Sequence, residues 1–219
     1  MKVKVSVFDK FKNDALYRTK IFLYVSLTFN IAYSSYLFVS SLVVHSKWFF
    51  IMSIYYGLLS IVRAFLFVQI NPDTSISSKI KTMRGCGLFL LLIDVVVSAM
   101  FFILLEDDYV ANYGENQVIM LATYTFLSFG VMVANGTRIV KKNDHVYSSA
   151  KILSLNAASV SLVTLTNTML STWGNGNTSL RNILLPTVSG VVAVFIIICA
   201  IVMILKSYLD LRTLEFELE

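Results

Sequence analysis

The sequence predicts an all-α protein, a polytopic bundle of six transmembrane helices with both termini on the cytoplasmic side. Three observations predict it. Of the 219 residues 57% are hydrophobic and only 14% charged, and the mean hydropathy is +0.74, outside the range of ordinary soluble domains. Six apolar windows, each about 20 residues long, are separated by short polar segments, and about 20 apolar residues are what an α-helix needs to cross a bilayer core. Lysine and arginine fall on alternate connections, as the positive-inside rule requires of a chain that weaves through a membrane.

The windows run over 21–44, 48–70, 86–105, 117–140, 152–172 and 183–205. Before them lies a basic arm, 1–20, with six of the 18 basic residues; after the six-helix domain, 21–206, comes a tail, 207–219. The arm is too interrupted by Lys10, Lys12 and Asp14 to be a signal peptide, so the mature chain is expected to start at or near Met1. Its apolar residues, Val3, Val5, Val7, Phe8 and Phe11 among them, suit an interfacial segment on the inner leaflet, with a plain solvated tail as the equal alternative. Lys79, Lys81 and Arg84 in the second connection, Arg138, Lys141, Lys142 and Lys151 in the fourth, and Lys206 and Arg212 after the last window assign these segments to the cytoplasm. The opposite connections hold only Lys47 and Arg181, and one of them is acidic, "EDDYVANYGE". The net charge of +5 is therefore first a topology signal and second an attraction to anionic lipid headgroups. Basic residues scattered over several short segments give no nucleic-acid footprint.

Two charges stand deep inside the windows, whereas Arg138 falls at the cytoplasmic end of the fourth. Arg63 stands in "YYGLLSIVRAFLF" and Asp94 in "LFLLLIDVVVSAMFF". Measured from the cytoplasmic ends of their windows they lie roughly 11 Å and 12 Å deep, so a charge-assisted pair between adjacent helices is expected, with Asn30 of the first window at a similar level. This candidate cluster of Asn30, Arg63 and Asp94 admits three roles: a structural pair that fixes helix register, a substrate or ion site, or an arginine that snorkels to the inner interface. The fifth window, "SLNAASVSLVTLTNTMLSTWG", is rich in small and hydroxylated residues. Such residues let helices approach closely, which predicts the central helix. Ser161, Thr164 and Asn167 are its candidate polar lining, with Tyr124 of the fourth window at the depth of Asn167; packing is the competing reading.

Chemistry is sparse. His45 and His145 are the only histidines, and neither has a second ligand at helical metal spacing. No catalytic, metal-binding or cofactor-binding motif is present, and no mid-span histidine or lysine stands ready to activate a serine, so an enzyme is not expected. Cys86 and Cys199 fall in or near the windows and are expected to be free, and "Asn177-Thr178-Ser179" matches a glycosylation sequon on the outer side. The two halves of the chain show no inverted repeat: Arg63 and Asp94 have no counterparts in the fifth and sixth windows. Pro186 and Gly190 are expected to loosen the outer end of the sixth helix.

The stretches "SLTFNIAYSSYLF", "SKWFFIMSIYYGLLSIVRAFLF" and "HVYSSAKILSLNAASVSLVTLTNTMLSTWG" resemble an uncharacterised family of six-span integral membrane proteins of Firmicutes, over most of the chain. The resemblance implies a bacterial plasma-membrane protein and brings no catalytic or binding residues with it. Two classes of function follow from the residues. One is a small-solute or ion transporter or channel built on the inner polar cluster; the other is a non-enzymatic scaffold or regulatory partner that recruits a protein or anionic lipid through its basic face. The sequence leaves the oligomeric state and any protein partner open.

Overall fold

The computed structural model describes residues 15–70, 74–106, 115–136, 145–173 and 178–216, and all the secondary structure among them is helical. The helices are α1 (Ala15–Val44), α2 (Lys47–Gln69), α3 (Ile76–Glu106), α4 (Glu115–Gly136), α5 (His145–Trp173) and α6 (Thr178–Phe216). The first fourteen residues of the basic arm, most of the acidic connection, Arg138, Lys141, Lys142 and Asn177 lie outside the described residues. Five of the helices are long and apolar enough to cross a membrane: Thr19–Val44, Lys47–Gln69, Ile76–Met100, His145–Leu170 and Ile183–Phe216. In α4 the corresponding apolar stretch is the shorter Val118–Gly130. Large apolar side chains such as Val43, Val68, Val95, Phe126 and Val191 face outward, a surface suited to lipid. The molecule is built as a helical membrane protein.

Helices outrun their apolar windows. α3 starts at Ile76, ten residues before its window, and α6 continues through most of the tail to Phe216, because Ser, Thr, Lys and Arg are compatible with helix once a neighbouring helix is there to pack on. Pro186, which stands in the first turn counted from the sixth window, consequently lies inside α6. Between α1 and α2 the chain reverses with no room to spare. His45 takes a left-handed conformation (φ 51°), and the Ser46 N–H donates to the Ser41 carbonyl at 3.2 Å, closing α1 with a Schellman-type bond. Ser46 then caps α2, its hydroxyl accepting from the Phe49 N–H.

The closest packing joins α3 to α6 and α1 to α2, whereas α1 and α4 touch only sparsely. A Cβ on Gly87 of α3 would sit 2.7 Å from Ile204 Cγ1 and 3.1 Å from the Ala200 carbonyl oxygen of α6, so only glycine permits that approach. Further along the same seam the Ser207 hydroxyl donates to the Ile80 carbonyl at 2.8 Å. α5 is the most enclosed of the apolar helices, with 61% of its window buried against 28% for α1 and α6, which makes it the central helix its small residues predict.

Candidate functional site

Asp94 does not join Arg63. Neither residue has an ion-pair partner among the described residues. The reason is register. Ser78 of α3 donates to Gln69 Oε1 of α2 at 3.4 Å, which levels the two helix ends. Arg63 is six residues back from Gln69 and Asp94 sixteen beyond Ser78, a difference of roughly 15 Å along the helix axes at 1.5 Å per residue. The expected match in depth came from counting α3 from its apolar window instead of its first helical turn. Asp94 is buried elsewhere on α3, and its Oδ1 makes no hydrogen bond.

Asn30 and Arg63 do come together, and the third member of their group is Tyr124. The Tyr124 hydroxyl donates to Asn30 Oδ1 at 2.7 Å, bridging α4 to α1, so this tyrosine serves α1 and not Asn167 of α5. Asn30 is completely buried and Arg63 is 4% exposed. Arg63 lies within electrostatic reach of the hydroxyls of Tyr124, Tyr55 and Tyr56. Tyr55 and Tyr56 stand about two turns toward the N-terminus of α2, the direction in which helical side chains lean. The guanidinium thus turns into the bundle rather than toward the near end of α2, which removes the snorkelling arrangement.

Around this group the bundle holds a cluster of tyrosines that the apolar pattern conceals. The Tyr33 and Tyr124 rings stack at 4.7 Å, and Tyr56 meets both edge-on at 4.8 Å and 4.6 Å, with Tyr55 against Tyr56 at 4.9 Å. Each such pair contributes about 0.5–1.5 kcal/mol beyond burial, so the cluster is a rigid wall for the polar group. The signal was in the sequence, as "AYSSY" and "IYYG" on consecutive helices, but tyrosine counts as apolar in a hydropathy window.

Arg63, Asn30 and Tyr124 line a half-open cleft between α1 and α4, with Val25, Ser26 and Phe29 on one side and Leu127 and Ser128 on the other. Its water-accessible volume is about 20 Å³, enough for one water molecule. No carboxylate is among the lining residues. A second, smaller void of about 10 Å³ is walled by Tyr33, Tyr36, Trp48, Phe49 and Met52 with Thr164 at its edge, and has no charged group.

The hydroxyls of α5 bond mainly to their own helix, although that of Ser161 also neighbours the Tyr56 hydroxyl of α2. Ser161 donates to the Ala157 carbonyl at 2.7 Å and Thr164 to the Val160 carbonyl at 2.8 Å, and Ser154 and Thr168 repeat the pattern four residues back. Ser161, Thr164 and Asn167 are all buried, and the two hydroxyl residues read as packing groups, with their polar atoms internally satisfied. Among the described residues no three His, Cys, Asp or Glu side chains converge on a metal position, and Cys86 and Cys199 are free.

Fold and site together define a helical membrane protein that buries an arginine with no carboxylate partner among the described residues, at a sparsely packed seam. No known family model matches the chain, and no curated protein is detectably similar to it.

Proposed function

We propose that the chain is a six-span plasma-membrane protein with both termini cytoplasmic, and that it acts without enzymatic chemistry as a small transporter or channel whose solute enters the α1–α4 cleft. The observation that carries this reading is Arg63. A charge in the middle of a membrane helix costs about 2.5–3.5 kcal/mol even on the most lenient scale, and register alone does not require one here, since Arg63 anchors no ion pair among the described residues. Its resemblance to six-span proteins of Firmicutes and the distribution of lysine and arginine support the bacterial plasma membrane and the orientation. α4 then serves as the remaining span, its apolar stretch extended by the flanking turns of the helix. The test is flux from vesicles holding the purified protein. The reading predicts a solute leak that Arg63→Gln abolishes; vesicles that stay sealed to a broad panel of small ions and metabolites would sink it. Cysteines placed at Lys20 and Lys206 and labelled from outside the cell check the orientation: both should resist a membrane-impermeant reagent.

One observation favours the scaffold reading. Lys20 lies over the Phe67 ring at 5.4 Å and Arg84 over the Tyr208 ring at 5.2 Å, so helix ends carrying Lys20, Arg84, Lys206 and Arg212 gather at one face of the bundle. Such a face attracts anionic lipid or an acidic partner. Under this reading the protein binds vesicles or a partner in a salt-sensitive way and passes no solute.

A further inference from the structure

We infer that the α1–α4 cleft binds a small monovalent anion, of halide or nitrate size, as the counter-ion of Arg63; resting on the transport reading above, that anion is the solute the protein moves. Four observations on the same few residues lead there. The Arg63 guanidinium carries five N–H donors and no acceptor, and it makes neither an ion pair nor a hydrogen bond with any described residue. Beside it, Asn30 is held in one orientation because Tyr124 donates to its Oδ1. The amide nitrogen Nδ2, fully buried, is left with hydrogens to give and no partner to take them. Of the remaining hydroxyls of the cleft, Ser128 is engaged with the Tyr124 oxygen and Ser26 is able to donate, and no carboxylate is among the lining residues. A cavity lined by a cation and neutral donors is complementary to negative charge, as a buried arginine without a partner requires.

Size selects the anion. About 20 Å³ of water-accessible space suits a desolvated ion close to water in bulk, whereas sulfate and phosphate are larger and bring a second charge that a single guanidinium does not neutralise. The half-open side of the cleft lies along a sparse helix contact, so entry needs α1 and α4 to part only slightly. The tyrosine stack on the closed side keeps Asn30 and Arg63 in place while that happens.

The experiment is a melting series on the purified full-length protein in neutral detergent, with sodium gluconate replaced stepwise by sodium chloride at constant ionic strength. The expected result is a saturable rise in Tm, about 3–6 °C at ten times the dissociation constant, reproduced by bromide and nitrate and not by sulfate. Asn30→Asp places a carboxylate beside the guanidinium, so its Tm in gluconate should match or exceed that of the wild type and no longer respond to chloride. Arg63→Met, which removes the cation without opening a hole, should lose the response as well. A wild-type Tm indifferent to chloride, bromide and nitrate overturns the inference even if both variants fail to fold, and so does a chloride response that survives in either variant. Chloride efflux from vesicles separates this inference from the reading beneath it. A saturable chloride response with sealed vesicles keeps the anion site and overturns transport. Vesicles that leak other solutes, from a protein whose Tm ignores small anions, keep transport and overturn the anion.

Discussion

Two seams of the bundle are built in opposite ways. Between α3 and α6 the backbones approach until a glycine is obligatory at position 87, and a hydroxyl from Ser207 ties one helix to the backbone of the other. Between α1 and α4 contact is sparse, one side-chain hydrogen bond from Tyr124 to Asn30 crosses the gap, and a cleft remains beside it. In lipid, where no hydrophobic effect drives helices together, tightness comes from small residues and backbone proximity. The α3–α6 seam has them, while the α1–α4 seam spends its positions on Phe29, Leu127 and polar groups. One seam is closed by backbone proximity, and the other leaves a cleft.

That contrast is open to direct attack, and the tight seam should break first. Gly87→Ala should cost about 1–3 kcal/mol in unfolding from mixed micelles, and Gly87→Leu should leave no monodisperse protein after extraction, because the added side chain meets the Ala200 carbonyl, which is backbone, as well as Ile204. A mild effect of Gly87→Leu would mean that the seam is not tight. At the loose seam the largest effect should be of the opposite sign: in gluconate, Arg63→Met should leave stability unchanged or raise it by about 1–4 kcal/mol, since a buried charge with no ion-pair partner among the described residues gives way to an apolar chain of similar length. Tyr124→Phe keeps the ring stack and removes its bond to Asn30, a loss of about 1 kcal/mol by the same unfolding assay. Ser207→Ala removes one cross-helix bond from a seam already held by backbone contact, and should cost about 0.6 kcal/mol. Smallest of all is the coupling between Arg63 and Asp94. A double-mutant cycle with Arg63→Gln and Asp94→Asn should be additive within about 0.5 kcal/mol, and a larger coupling would restore the ion pair that the register denies.

The helices themselves were legible because bilayer thickness imposes a length that apolar windows report directly. All six windows match helices among the described residues, and the central place of α5 followed from its small residues. Helix ends were not legible in the same way. An apolar window marks where lipid would be, and α3 starts ten residues outside its own, so Asp94 was placed too near the end of its helix and too near Arg63. Of the candidate polar groups, Asn30 and Arg63 were found by their rarity in apolar surroundings, and structure brings them to one cleft. Tyr124 was found by depth but assigned to the wrong neighbour, because depth does not fix rotation about a helix axis. Tyr33, Tyr55 and Tyr56 went unnoticed for a different reason: a buried tyrosine packs as a ring, and its hydroxyl gains significance only when a partner from another helix is known.

The back-bonded hydroxyls of α5 bear on how the chain reaches the membrane at all. Residue by residue α5 is the poorest of the five long apolar helices, with a mean hydropathy of 1.2, and α6, which follows it out of the ribosome, is the richest at 3.2. A serine or threonine that bonds its own helix backbone hides a polar atom inside a single segment, so part of the insertion penalty is cancelled before any neighbour has arrived. On hydropathy α6 should partition into a bilayer far more strongly than α5, so α5 should lean on its neighbours for the remainder. The helix most enclosed in the finished bundle is therefore the one whose entry depends most on company, and lesions that weaken α6 should show first as α5 left outside the membrane.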